Sequence, residues 1–84
     1  MKVIEVNIEL VESLSDQERN RFWDAFASNA IEANKLQYGG LENGFIESDG
    51  NFEITEGHKQ KVNSWLNGRK EIKNFDLQLI TNFT

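Results

Sequence analysis

The sequence predicts an α+β fold in the order β-α-β-β-α-β, a four-stranded antiparallel sheet with two helices on one face. Three observations predict it. Apolar and polar residues alternate at both ends of the chain, which is the period of a half-buried strand. Two internal segments carry apolar residues at helical spacing, each behind a capping residue. Between them lies Asp49-Gly50, a strong local signal for a two-residue hairpin.

In Lys2 to Val11, Ile4, Val6, Ile8 and Leu10 take one face of a strand, and Glu5, Asn7 and Glu9 take the other. β-branched residues suit that pleated, half-buried surface. Ser15-Asp16-Gln17-Glu18 then reads as a capping box, in which the Ser15 hydroxyl and the Glu18 carboxylate each satisfy the other residue's backbone amide. Asp16 adds negative charge to the first turn, which suits the helix dipole. Phe22, Phe26, Ala30 and Ala33, joined by Trp23, Ala27 and Ile31, form a broad apolar stripe. The first helix is expected from about Asp16 to about Asn34, with Asn34 as its left-handed cap, because Asn tolerates positive φ.

Leu36 to Gly44 is rich in glycine and reads as a loop. Phe45 to Ser48 and Asn51 to Ile54 read as the two arms of a hairpin, with Glu47 facing Phe52 and Phe45 facing Ile54. Thr55 is an N-cap for a second helix, from about Glu56 to Asn67 or Arg69, in which Val62, Trp65, Leu66 and Arg69 mark one face. Gly68 closes it, and Arg69, Lys70 and Lys73 supply positive charge near that end. Phe75, Leu77 and Leu79 alternate with Asp76 and Gln78 in a last strand, extended by Ile80 to Phe83.

Residues 1–84 are expected to form a single domain. The composition narrows the chemistry further. The 84 residues contain no Cys, so disulfides, thiolate metal sites and thiol nucleophiles are excluded. Nine Lys and Arg against 14 Asp and Glu leave a formal net charge of -5. That is a poor basis for a non-specific nucleic-acid coat, which neutralises phosphates with clustered cations. Aromatic residues make up 11% of the chain, and such rings bury enough area each to build a small core without staples. Glu5 and Glu9 interrupt the first apolar stretch, so it is no signal peptide, and a cytoplasmic protein is expected.

Few residues invite catalysis. His58 is the only histidine, and after Thr55 it stands where it can fold back on the helix cap. A zinc site would need three carboxylates beside it. The acidic residues are spread over every element, with no pair beside a nucleophile, so neither an enzyme nor a bound metal or cofactor is expected. Tyr38 to Gly44 lacks the Gly-Lys-Ser/Thr of a phosphate-binding loop. The local basic groups are Lys35 and Arg69-Lys70 with Lys73. Ile46, Ile80 and Phe83 are candidates for a contact patch on the sheet's uncovered face, where Glu5, Asn7 and Glu9 would repel phosphate.

Ile31-Glu32-Ala33-Asn34-Lys35-Leu36 resembles the Ile-Glu-x-Asn-Lys-Leu segment of the YggL family, small bacterial proteins described as binding the large (50S) ribosomal subunit. Thr55-Glu56-x-His58, then Val62-x-x-Trp65-Leu66-x-x-Arg69-Lys70, look like that family's second helix, and Phe75 to Ile80 fits its last strand. The resemblance implies a non-enzymatic accessory factor of the ribosome. Members such as the enterobacterial one carry a basic extension ahead of the first strand, so this chain reads as a short form without it. The expected partner is then the large ribosomal subunit, through a basic ribosomal protein in preference to bare RNA. Lys35, Arg69 and Lys70 are expected to share one edge, with Glu5 and Glu9 as the acidic surface. No membrane or small-molecule substrate is expected, and the chain is read as a monomer or weak dimer. The alternative is a general protein–protein interaction module or self-associating dimer that is not bound to ribosomes.

Overall fold

The computed structural model describes residues 2–40 and 42–81. Strand β1 (Val3–Leu10) is followed by α1 (Asp16–Ala25), a π turn (Phe26–Ile31) and a 3-10 turn (Glu32–Asn34). Strands β2 (Leu36–Gly40) and β3 (Asn43–Ser48), helix α2 (Glu56–Leu66) and strand β4 (Ile72–Ile80) complete the order. The sheet has four strands in the order β2-β3-β1-β4, and every pairing is antiparallel. The predicted class and element order are those observed.

β1 is central because its alternation gives the sheet one wholly apolar side. Ile4, Val6, Ile8 and Leu10 are all buried, and they join Ile46 and Leu77 from the neighbouring strands with Phe22, Phe26, Val62 and Leu66 from the helical layer. The register keeps like with like. Ile4 pairs with Ile46 and Leu79, and Val6 with Leu77. Between Glu9 and Leu10 the β1–β4 register shifts, so that Leu10 meets Ile72 and Lys73 is passed over. Without that bulge Lys73 would fall opposite Leu10, on the side that faces the core.

The hairpin lies elsewhere than predicted. β2 pairs with β3 from Leu36↔Ser48 to Gly40↔Gly44, so the glycine-rich stretch is an edge strand and its tight turn, not a loop. Asp49-Gly50 bends the chain out of the sheet, and residues 51–54 form no strand. Glu47 therefore faces Gln37, not Phe52, and Phe45 faces Gly39 and Glu5, not Ile54. Burial outweighs the local turn signal here: Leu36 on β2 is 2% exposed, while Ile54 enters the core from an irregular segment at 0%. Gly40 allows the turn, with φ at 117° and its hypothetical Cβ against the Asn43 carbonyl. Gly44 is held by closeness instead, since a Cβ there would meet the Gly39 carbonyl.

The first helical run spans the predicted residues but changes pitch. In an α-helix, five steps of about 100° would set Ile31 about 140° away from Phe26. The π turn brings both into the core, at 2% and 1% exposure, and Ala33, which the sequence placed on the buried stripe, is exposed. The left-handed residue is Lys35 (φ 58°), not Asn34. Asn34 stays helical and donates its amide to the Ala30 carbonyl at 2.9 Å.

Both predicted caps form. Glu18 and Ser15 exchange bonds at 2.9 and 3.1 Å. At α2 the Thr55 N–H donates to His58 Nδ1 at 2.9 Å, and Gly68 closes the helix with φ at 86°. No described helix is long and apolar enough to cross a membrane.

Candidate functional site: the uncovered face of the sheet

Side chains alternate across a strand, so a sheet with both helices on one side presents its other residues outward. On β1 these are Val3, Glu5, Asn7 and Glu9. The register adds Ile80, Gln78, Asp76 and Asn74 from β4, Asn43, Phe45 and Glu47 from β3, and Gln37 and Gly39 from β2. One row across the face reads Gly39, Phe45, Glu5, Gln78.

Two features distinguish this surface. Phe45 is 36% exposed, the one large hydrophobic side chain that is exposed among the described residues. Around it stand the carboxylates of Glu5, Glu9, Glu47 and Asp76. Lys73 pairs with Glu9 at 3.7 Å between groups that are each about half exposed, a pair of little energetic weight. Toward the β1 C-terminal end lies a depression of about 360 Å³, lined by Asn7, Glu9, Glu42, Asn43, Asn74 and Asp76. Carboxylate and amide oxygens there can accept hydrogen bonds from a guanidinium or ammonium group.

Glu5 and Glu9 thus sit where the sequence placed them. The basic residues do not converge. Lys35 precedes the edge strand β2, beside the start of β1. Arg69 and Lys70 precede β4, the opposite edge, beside the end of β1. Antiparallel pairing sets them at opposite corners of the sheet, and no shared basic edge forms. Arg69 also turns inward. Its guanidinium lies 4.4 Å from the Trp65 ring centroid and 5.9 Å from that of Phe22, and it pairs with Glu71 at 3.0 Å. Burial works to raise the Glu71 carboxyl, but its own backbone N–H, Arg69 and Lys70 together hold it below the usual 4.5. Lys70 and Lys35 are exposed.

His58 is spent on structure. Its Nδ1 accepts the Thr55 N–H, and its ring stacks on Phe52 with centroids 5.1 Å apart. Among the described residues no group of three His, Asp or Glu converges to hold a metal ion. Tyr38 packs edge-on against Phe26 at 5.2 Å, and burial pushes its phenol up to about 12, well away from neutral titration.

Sequence reasoning missed Phe45 and Glu47 as members of this face. The false hairpin register assigned their partners wrongly, and Phe45-Ile46 offers two apolar neighbours with no local cue to which one is buried. Ile46 proves fully buried on the core side, so it leaves the contact patch predicted for it. Ile80 does lie on the uncovered face, paired with the fully buried Val3. Phe83 lies outside the described residues.

Fold and face together define a small α+β module with an acidic, partly apolar sheet surface. The family model described as YggL 50S ribosome-binding protein matches residues 4–82, and the chain belongs to that family. No curated protein and no solved structure matches it in the same comparisons.

Proposed function

We propose that this protein is a cytoplasmic, non-enzymatic accessory factor of the large (50S) ribosomal subunit. It docks, as a monomer or weak dimer, by laying the uncovered sheet face against a basic ribosomal protein. Family membership over residues 4–82 carries the ribosomal part of this reading. The charge of the face supports the kind of partner. Glu5, Glu9, Glu47 and Asp76 would repel RNA phosphates, whereas they complement a Lys- and Arg-rich protein surface. Phe45 supplies an apolar anchor at the centre, the arrangement in which one aromatic carries a large share of binding energy. The inward turn of Arg69 and the separation of Lys35 from Lys70 argue in the same direction, since no continuous basic strip is available to follow a phosphate backbone.

Co-sedimentation with purified 50S subunits tests it. At low ionic strength the protein is expected in the 50S fraction, and rising salt should release it. Replacing Glu5 and Asp76 together by Lys should weaken association by about tenfold or more, roughly 1.4 kcal/mol or above. Protein that stays at the top of the gradient at low salt overturns the proposal. Crosslinks from the face that map only to ribosomal RNA would overturn the choice of partner.

A further inference from the structure

A second surface, on the helix side of the molecule, has the make-up of a peptide site. β2 is an edge strand, and among the described residues its only strand neighbour is β3. The Asp49 N–H bonds the Lys35 carbonyl at 2.9 Å, which sets the alternation of the β2–β3 ladder. Bonded and non-bonded pairs alternate in an antiparallel ladder, so the main-chain groups of Leu36 and of each second residue after it face outward. A cleft of about 420 Å³ runs beside this edge, between β2 and the first helical run. That volume falls in the range of about 300–1,000 Å³ found for binding clefts.

The walls of the cleft are apolar and its rim is acidic. Trp23, Phe26, Ala27 and Ile31 line the helical side, and Leu36 and Tyr38 the strand side. The π turn shapes this wall by carrying Ile31 inward next to Phe26, and such turns concentrate at functional positions. Glu32 and Asp49 stand at the rim. Glu47, on the other side of the same hairpin, faces Gln37 across β3 and β2. Gly39 has open space where a Cβ would stand, so a neighbouring backbone can approach the edge without a side chain in the way.

We propose that this cleft is a strand-addition site for an extended peptide of alternating apolar and basic residues. An added strand along β2 would hydrogen-bond the outward main-chain groups and continue the sheet. Its side chains would alternate between the two sides of that sheet. One set enters the cleft against Trp23, Ala27 and Tyr38, the half-buried members of its wall, which favours apolar residues. The other set extends the uncovered face beside Gln37 and Glu47, while the rim offers Glu32 and Asp49, which favours Lys or Arg. The proposal goes beyond the ribosomal reading and does not depend on it: the two surfaces share Gln37 and Glu47 at their border, but the cleft and the main-chain edge of β2 belong to this site alone.

The test uses the full chain and a fluorescein-labelled peptide of about eight residues with Lys and Leu in strict alternation. Its control has the same composition in two blocks, four Lys followed by four Leu. Anisotropy titration is expected to give at least about tenfold tighter binding for the alternating peptide. N-methylation of every second amide should weaken it by about tenfold in one register and little in the other, because only one set of amides faces β2. Ala27→Arg fills the cleft from a half-buried helix position and should weaken binding by a similar factor, with an unchanged circular dichroism spectrum. Glu5→Lys, on the uncovered face, should leave it within about twofold. Equal binding of the two peptides, no binding of either, or indifference to N-methyl register or to Ala27→Arg each overturns the proposal. So does a dimer, seen by analytical ultracentrifugation, that buries β2 and does not dissociate on adding peptide, since the occupant is then a second copy of the chain.

Discussion

The two sides of one sheet follow opposite rules. On the covered side Ile4, Val6, Ile8, Ile46 and Leu77 are joined by rings and aliphatic groups from both helices, and their exposure is between 0% and 7%. On the uncovered side, past the Val3–Ile80 pair at one end, residues one position away in sequence are mostly carboxylates and amides around the ring of Phe45. The first side is held by area removed from water, and the second buries less of it. A surface freed from packing is free to be selected for contact. The difference teaches that the functional candidates of this chain are to be found where the fold imposes least.

The sharpest way to break that comparison uses two neighbours in β3. Ile46→Ala should cost about 2–5 kcal/mol in denaturant unfolding, the cost of emptying a core site. Phe45→Ala, at a ring with about a third of its surface exposed, should cost less than Ile46→Ala does, yet lower 50S co-sedimentation. Equal destabilisation by the two would make the uncovered face part of the core and end the contrast.

A glycine pair gives the next largest effect. Gly44→Ala forces a Cβ against the Gly39 carbonyl and should cost about 1–3 kcal/mol by equilibrium unfolding. Gly39→Ala meets nothing within 4 Å, so its stability should change by no more than about 1 kcal/mol, in either direction. The two glycines lie on opposite sides of the sheet, and reversed magnitudes would show the assigned register to be wrong.

Arg69 tests whether a cation can belong to the covered side. Arg69→Gln removes the stack on Trp65 and the pair with Glu71, and should cost about 1–2 kcal/mol with a shift in Trp65 fluorescence. A loss of ribosome binding with no loss of stability would return Arg69 to the contact residues.

The smallest effect is acid sensitivity. The backbone and side-chain bonds from Ser15 hold the Glu18 carboxyl below its usual 4.5, and Glu71 is lowered as well. A carboxylate lowered by folding stabilises at pH above its unfolded value, and that contribution fades as pH falls through the folded one. Thermal midpoints should therefore decline below about pH 4.5, and Glu18→Gln should flatten part of that decline. An unchanged profile in the variant would remove the capping box from the explanation.

Much of this architecture could be read in the residues because its signals are local and agree with one another. The Ile4-Val6-Ile8-Leu10 alternation, the Ser15–Glu18 box and the Thr55–His58 fold-back each need only neighbours a few positions apart. The β2–β3 hairpin could not be read that way. Asp49-Gly50 is a good turn in isolation, but the long-range pairing of β3 with β1 determines which strand β3 turns back to. Glycine at 39, 40 and 44 reads as loop by propensity, while Leu36 and Tyr38 between them supply the side chains that make an edge strand worth forming. For the candidate site, Glu5 and Glu9 were legible from alternation alone. Phe45 was not, because its partner depends on the same hairpin. Arg69 misled for a third reason: a guanidinium at a helix end looks solvent-bound until the Trp65 and Phe22 rings beneath it are known.

The π turn at Phe26–Ile31 can also be viewed as a matter of chain length. A π turn is one residue more than an α-helix requires for the same path, so the run holds an extra residue between ends that uniform pitch would place alike. Removing one residue between Ala27 and Asn29 would let the run relax to uniform pitch with its ends in place, since Ile31 would then stand four steps of about 100° from Phe26, within about 40° of it. Ile31 would keep its place in the wall beside β2. Homologous chains shorter by one position here are expected to keep the sheet, its acidic face and the side of the helix that Ile31 takes, so a length change at this turn is one the fold can accept without losing either surface.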